Sequence, residues 1–321
     1  MTQPAEYFQG TGTVRALLRN FDWVRDRLGP PHTWPTELVT TVELMLDSSY
    51  PAMVAWGDDP IMLYNDAYGQ ILGERHPAAL GARVADAWAD APYAIDSIIA
   101  AARNGQASFF EDVPFMIPQH GVPEQRWFTY AYAPIRLRGK GIGGVYNTAI
   151  DTTARVFSEA RQTFQLDLTD RLRNLTDANA MTAAACALLG AQLGVARVGY
   201  AELDTDGTTA HIKPDWTDGT LQSMAGQSWR LDSFDPTIGA PLQRGEVLTV
   251  DDIANDPRCV VRAEVYQSLG VGAAMAIPLM KGGRLRAFLQ LHHGAARRWT
   301  ALDQALALDT VERTGAAAER A

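Results

Sequence analysis

The sequence predicts an α+β fold of two domains, each a central antiparallel sheet with flanking helices, and a long helix that joins them. The chain has 321 residues, and at roughly 150 residues per domain two domains are expected. Short runs with strand-like alternation fall into two groups, separated by residues 154–175. In that separating segment apolar residues recur at helical spacing, which indicates a helix between two sheets.

The composition is that of an ordinary globular protein, with 47% hydrophobic and 20% charged residues. The net charge is −9 and there is no basic tract, so we expect no nucleic-acid partner. No stretch reaches the ~18 consecutive apolar residues of a membrane span, and residues 1–10 lack a signal-peptide core. A cytoplasmic location follows. Two cysteines, Cys186 and Cys259, are too few for a disulfide scaffold, and the scattered histidines predict no metal site.

Residues 1–35 are predicted to form an N-terminal helical extension, with residues 1–10 disordered and a helix over 13–28 that Gly29-Pro30-Pro31 ends. Beyond residue 36 the pattern predicts a helix, two strands, small helices and three further strands. The predicted strands are Met53–Trp56, Ile61–Tyr64, Ala107–Pro114, Gln125–Leu137 and Gly141–Ile150. This order is typical of an antiparallel sheet with helices packed on one face.

Several short motifs accompany these strands. They are Met53-Val54-Ala55-Trp56-Gly57, Tyr64-Asn65-Asp66-Ala67-Tyr68, Ile71-Leu72-Gly73 before His76-Pro77, and Asp151-Thr152-Thr153. Together with the strand order, they make residues 36–153 resemble a PAS domain, in which an Asp-x-Thr signature precedes an output helix. The resemblance implies a sensory core that encloses a pocket. The candidate ligand-binding residues there are Trp56, Met62, Tyr64, Tyr68, Trp127 and Tyr130.

The joining segment, residues 154–176, is predicted to be a linker helix. Its apolar residues form one stripe, at Phe157, Phe164, Leu168, Leu172 and Leu175. Such a helix covers a sheet or packs on a second copy of itself. On the second interpretation we expect a parallel homodimer through residues 154–175 and 301–320. Asp177 is the expected N-cap of a further helix.

The second group of elements follows that helix. Strands are predicted at Val195–Leu203, Thr209–Pro214, Val247–Ile253, Ala273–Met280 and Leu285–His292, and helices at Ala263–Leu269 and Trp299–Arg320. The accompanying motifs are the run from Leu193 to Tyr200, Asp251-Asp252-Ile253 with Asp256-Pro257-Arg258, and Ala276-Ile277-Pro278-Leu279. These pieces make residues 177–314 resemble a GAF domain.

The tail of this group, His292-His293 with Arg297-Arg298-Trp299, resembles GAF domains of bacterial PAS–GAF sensor histidine kinases, which are two-component signalling proteins. In that family the last helix continues into kinase dimerisation helices, so residues 315–321 are expected to begin a C-terminal signalling helix. A downstream kinase or effector domain is the implied partner. The candidate GAF pocket residues are Tyr200, Trp216, Trp229, Phe234, Cys259, Tyr266, Met275 and His292.

The sequence therefore predicts a signal-input module that binds a small ligand or partner and relays a conformational change through helices. It is not expected to be an enzyme, because the chain has no phosphate loop or histidine-kinase ATP motif. One alternative is a photoreceptor that attaches a bilin at Cys259, and another is an interaction or dimerisation scaffold without a ligand. Methionine sulfoxide reduction is disfavoured, since Cys259 lacks a resolving partner. The identity of the ligand stays open.

Overall fold

The computed structural model describes residues 7–23, 27–89, 95–119, 122–139, 141–231, 236–259 and 263–318. The chain divides into two compact units, Met1–Val156 and Phe157–Ala321, called unit 1 and unit 2 below. Helices in the described ranges are all too short or too polar to cross a bilayer.

Unit 1 is built on one antiparallel sheet. Its helices are α1 (Thr13–Arg19), α2 (Thr36–Asp47), α3 (Asp66–Leu72), α4 (Val84–Ala87) and α5 (Ile95–Arg103). Its strands are β1 (Ala52–Trp56), β2 (Ile61–Tyr64), β3 (Ser108–Gln119), β4 (Val122–Leu137) and β5 (Gly141–Asp151). The strand order is β2-β1-β5-β4-β3, which confirms the predicted antiparallel sheet. The outermost strand, β3, has a bulge between Phe110 and Val113, and Pro114 then pairs with Trp127.

The N-terminal segment differs from its prediction. Helix α1 ends at Arg19 rather than continuing to residue 28, because Trp23 folds back and its indole Nε1 donates to Leu18 O at 2.8 Å. The indole also packs against Trp34, with ring centroids 5.0 Å apart. Phe8 joins this aromatic cluster and is only 1% exposed, so the disorder expected for residues 7–10 is wrong. Residues 1–6 lie outside the described ranges.

One buried carboxamide, that of Asn65, joins three elements of unit 1. Asn65 is 1% exposed and caps α3, where its Oδ1 accepts from Tyr68 N at 2.9 Å. The same oxygen accepts from Ala52 N at the start of β1, at 3.1 Å. On the other side, Nδ2 lies within 2.7–3.1 Å of the carbonyl oxygens of Met45, Ser48 and Tyr50. The amide therefore fixes the end of α2, the start of β1 and the start of α3 together.

Unit 2 is built on a second antiparallel sheet. Its helices are α6 (Thr153–Leu172), whose first residues belong to unit 1, α7 (Ala178–Leu193), α8 (Pro236–Gln243), α9 (Ala263–Ser268) and α10 (Ala301–Ala318). Its strands are β6 (Arg197–Leu203), β7 (Thr209–Ile212), β8 (Trp216–Thr217), β9 (Ser228–Arg230), β10 (Leu248–Val250), β11 (Ala273–Lys281) and β12 (Arg284–His293). The strand order is β10-β11-β12-β6-β7-β9, with β8 paired to β6. Asp177 caps α7 as predicted.

Both faces of this sheet are covered by apolar residues. Buried residues of α6, α7 and α10 pack with Val198, Met275 and Leu289 in one cluster, called the helix-side core. Phe164 and Leu168 of the α6 stripe belong to it, so the stripe covers unit 2's own sheet. A second cluster, called the loop-side core, contains Ala201, Ala276 and Phe288 of the sheet. It also contains buried apolar residues from the segments between β7 and β11, including Cys259. Asp309 of α10 also holds α6, because Arg161 donates to both of its carboxylate oxygens at 2.7 Å.

We predict that Asn65→Asp destabilises unit 1 by roughly 3 kcal/mol at neutral pH, because it turns a donor into an acceptor facing carbonyl oxygens. Burial against these carbonyls raises the pKa of the introduced carboxyl above its unfolded value of about 3.9. The folded state is therefore favoured below that unfolded value, and this stability is lost as the pH rises through the raised folded pKa. Denaturant unfolding across pH measures the effect. Asn65→Ala, which has no titratable group, is the control, and identical pH profiles of the two variants would contradict the assignment.

Candidate functional site

Unit 1 contains a small cavity between the sheet and the helices. Its lining is mostly aromatic, with the residues Tyr68, Ile71, Trp88, Ile95, Phe115, Phe128, Tyr130, Tyr132, Asn147 and Ala149. The space open to the centres of water molecules is about 30 Å³. A single water needs at least ~10–15 Å³ on this measure, so the cavity in this conformation accepts a water-sized group.

The strands explain why this lining is aromatic. Alternation along β4 turns Phe128, Tyr130 and Tyr132 toward the core. Phe115 of the neighbouring β3 contacts two of these rings, with centroids 5.8 Å from Phe128 and 5.7 Å from Tyr130. Phe110 stacks on Tyr130 at 5.0 Å. The cavity wall is therefore formed by side chains that two paired strands hold in register.

The polar group that distinguishes the cavity is the carboxamide of Asn147, on β5. Asn147 is 1% exposed, and its Nδ2 donates to Ala131 O at 3.0 Å and lies 3.4 Å from Thr148 O. Two carbonyl oxygens at the nitrogen fix the orientation of the amide, since its oxygen would be repelled there. Within the part of the chain that the structure describes, the buried Oδ1 then has no hydrogen-bond partner. An unsatisfied buried acceptor is costly, and a donor in the cavity would remove that cost.

Of the three buried phenols at the cavity, Tyr68 and Tyr132 are neutral donors. Burial raises the pKa of Tyr68 and of Tyr132 above the ordinary value for a phenol. The Tyr68 hydroxyl is also hydrogen-bonded to Trp88. Among the described residues that line the cavity none is ionised, so the arrangement suits an uncharged group with an N–H or O–H donor.

The structure brings only part of the predicted unit 1 set to this cavity. Tyr68 and Tyr130 line it, whereas Trp56, Met62, Tyr64 and Trp127 do not. The indole of Trp56 lies on Gly143, where an added Cβ would come within 2.6 Å of the ring. Trp127 alternates with the inward residues of β4, so it lies on the other face of the sheet.

The other two predicted residues belong to the core. Met62 is fully buried, and the Tyr64 hydroxyl is hydrogen-bonded to His76 Nδ1 at 2.9 Å. Sequence reasoning missed Asn147, which lies on the same inward face of β5 as Val145 and Ala149. A polar residue at an inward position of an apolar strand was the available signal.

In unit 2 the predicted pocket residues lie on two faces of the sheet. Tyr200 and Met275 belong to the helix-side core, and Trp216 packs against it over Gly190. Cys259 belongs to the loop-side core, with Trp229 and Tyr266 packed against it. These two groups therefore do not share one pocket. Phe234 lies outside the described residues.

His292, which is half-buried, is paired with the buried Arg197, its partner across β6 and β12. Arg197 is 1% exposed, and its Nε and Nη2 lie 3.1 and 2.9 Å from His292 Nδ1. Burial and the neighbouring guanidinium lower the pKa of His292 to about 3, so the imidazole is neutral and accepts from Arg197. Arg197 Nη1 also donates to Gln222 O at 2.6 Å. This pair ties the loop before β9 to the sheet.

Both thiols are buried. Cys259 is fully buried and hydrogen-bonded to Tyr266. Cys186 is 1% exposed, and burial raises the pKa of its thiol to about 12. Reactive thiols are exposed and have lowered pKa values, so neither cysteine has the environment of a nucleophile.

The comparisons with known proteins bear on unit 2. A family model described as the GAF domain matches residues 177–318. No curated protein matches the chain.

Three similar solved structures have TM-scores below 0.5, so nothing about this chain is inferred from them. The phycoerythrobilin-bound GAF domain of a cyanobacterial phytochrome is 19% identical, with a TM-score of 0.43, and covers 50% of this chain and 96% of its own. The chromophore-binding domain of a bacteriophytochrome from R. palustris is 14% identical, with a TM-score of 0.43, and the match covers 84% of this chain and 94% of that domain. The GAF domain of an Acinetobacter phosphoenolpyruvate-protein phosphotransferase is 10% identical, with a TM-score of 0.40, and covers 50% and 92%. The match to the family model assigns residues 177–318 to the GAF domain.

Proposed function

We propose that the chain is a cytoplasmic signal-input module in which unit 1 is a PAS domain that binds a small uncharged ligand. Binding shifts the packing of the core, and helices relay the change to an effector of the histidine-kinase type. The chain itself makes and breaks no bonds in this proposal. The observation that carries it is the unpartnered Oδ1 of Asn147, facing a cavity with an aromatic lining.

Two further features support the assignment of unit 1. Its strand order in the sheet is β2-β1-β5-β4-β3, and α3, α4 and α5 lie between β2 and β3 in the sequence. Both features are those of the PAS domains that its motifs resemble. Strand β5 ends at Asp151, and α6 begins two residues later at Thr153. A displacement of β5, which carries Asn147, therefore has a short path to a helix.

The ligand is expected to stabilise one of two conformations of unit 1. A ligand shifts such an equilibrium only by its difference in affinity for the two states. The space open to the centres of water molecules is about 30 Å³, which is room for a few waters at most, so a larger ligand must displace lining side chains. That displacement is the proposed signal, and a ligand that merely replaced a water would produce none.

We predict that phenol, used as a probe, raises the unfolding temperature of unit 1, because its hydroxyl donates to Asn147 Oδ1. At ten times its Kd the expected shift is about 3 °C. Anisole, which has no donor, is expected to have a smaller effect, and Asn147→Leu is expected to abolish the difference between the two compounds. Thermal unfolding with each compound measures this.

Tyr146→Phe is the matched control, because residue 146 precedes Asn147 on β5 and alternates to the other face. Native mass spectrometry and an absorption spectrum of freshly purified protein would reveal a ligand that is retained. Equal responses to phenol in the wild type and in Asn147→Leu, with no added mass, would favour the scaffold alternative, in which side chains fill the core.

The bilin alternative has one observation in its favour, which is that Cys259 lies in the loop-side core close to Tyr266. Because both thiols are buried, we predict that neither reacts with a thiol reagent in the native protein and that both react after denaturation. Protein co-expressed with a bilin supply is expected to be colourless. Visible colour that Cys259→Ala removes and Cys186→Ala retains would instead establish the photoreceptor.

The homodimer remains part of the proposal, but its contact is now expected to use exposed leucines of α6 and α10 rather than the apolar stripe of α6. Phe164 and Leu168 are buried inside unit 2, whereas Leu166 of α6 and Leu308 of α10 are 69% and 39% exposed. We predict a dimer in sedimentation equilibrium that Leu166→Glu weakens at least about tenfold. Leu44→Glu is the control, at an equally exposed leucine of unit 1. A monomer at every concentration would contradict the dimer.

A further inference from the structure

One carboxylate, that of Asp112, fastens the first turn of α6 to the outermost strand of the unit 1 sheet. Arg155 Nη2 donates to both oxygens of Asp112, at 2.6 and 2.7 Å. Thr152 Oγ1, just before α6, donates to Asp112 Oδ1 at 2.7 Å. These hydrogen bonds lower the pKa of Asp112 below its ordinary value, so the carboxylate is ionised at neutral pH.

The backbone at Asp112 is unusual for a residue other than glycine. Its φ is 50°, in the left-handed region, and it lies in the bulge between Phe110 and Val113. Bulges redirect a side chain that regular alternation would point elsewhere. Asp112 N also donates to Thr129 Oγ1 of β4 at 3.2 Å, which holds the bulge against the next strand. An outlier of this kind persists only where the surroundings fix it, and it is a recognised mark of functional positions.

The bulge also lies within the cavity wall. Phe110 stacks on Tyr130 before the bulge, and Phe115 contacts the same ring after it. Thr129, which holds the backbone of Asp112, is the neighbour of Tyr130 on β4. A ligand that displaces Tyr130 or Phe115 therefore acts on rings that contact the strand on both sides of Asp112.

The start of α6 has a second anchor that is independent of Asp112. Asp151 Oδ1 accepts from Thr153 N at 2.9 Å, and Arg126 is paired with Asp151 at 2.7 Å. Thr153 Oγ1 in turn accepts from Trp127 N at 2.9 Å. These contacts cap the helix locally and tie it to β4. Loss of the Asp112 contacts therefore leaves the helix start capped but no longer tied to β3.

We propose that Asp112, Thr152 and Arg155 form a latch between β3 and α6, and that its opening is the step by which a change in the cavity reaches the helix. The claim that opening of the latch relays a change in the cavity rests on the proposed sensory function, whereas the latch itself is independent of any ligand. The test therefore uses the unliganded full chain, so that failure of the latch and failure of ligand binding are distinguishable.

The first measurement is amide hydrogen exchange of peptides that cover residues 153–160. Asp112→Asn keeps a residue type that tolerates positive φ and removes the charge. We expect it to speed exchange about tenfold, the effect of losing charge-assisted hydrogen bonds. Arg155→Gln is expected to do the same without altering the bulge. Asp170→Asn, which removes an exposed carboxylate from α6, is the control and should exchange as the wild type does.

The second measurement tests the link to the cavity. Phe115→Leu is expected to speed exchange at residues 153–160 in the wild-type background and to add nothing to Asp112→Asn. Peptides from β11 and β12 serve as the fold control. Wild-type exchange rates in both Asp112→Asn and Arg155→Gln would overturn the latch. An equal, additive effect of Phe115→Leu in both backgrounds would overturn its role as the relay.

Discussion

The arrangement of unit 1 depends on a single buried amide, because Asn65 pairs with backbone groups that no regular ladder satisfies. A buried backbone group without a partner costs about as much as a lost hydrogen bond. Asn65 removes that cost at the amides of Ala52 in β1 and Tyr68 in α3, and it adds a donor at Met45 O, which also accepts from Ser48 N. It also sets the first turn of α3, and with it the position of Tyr68 on the cavity. The core and the candidate site therefore share one structural origin.

In unit 2, the buried polar side chain that joins separate elements is a charged one, that of Arg197. Arg197 is fully buried, and among the described residues its acceptors are a backbone carbonyl and the neutral imidazole of His292 rather than a carboxylate within ion-pair distance. Burying a cation is costly unless its donors are satisfied. Asp215 acts on the guanidinium through space and favours its charged form. The pair therefore holds a loop on the sheet without making His292 sensitive to pH near neutrality.

The sequence predicted the two sheets better than it predicted the site. Strand pairs such as β11 and β12 are short, mostly apolar runs joined by Gly282-Gly283, so local pattern was sufficient for them. The face of each side chain was harder to predict. Both faces of the unit 2 sheet are buried, so the sequence does not show on which side of the sheet apolar residues such as Tyr200 and Tyr266 lie. The helix predicted over 13–28 failed because contacts of Trp23 with distant residues outweighed local propensity.

The bulge and proline in β3 have a consequence for the protein in the crowded cell. β3 spans 12 residues at one side of its sheet and carries Phe109, which is 66% exposed. A long, flat, apolar strand in that position is a template for runaway pairing with other chains. The kink at Asp112 interrupts its straight course, and Pro114 offers no N–H for a foreign strand to bind. The same irregularity that carries Asp112 thus makes this edge a poor template for pairing with another chain.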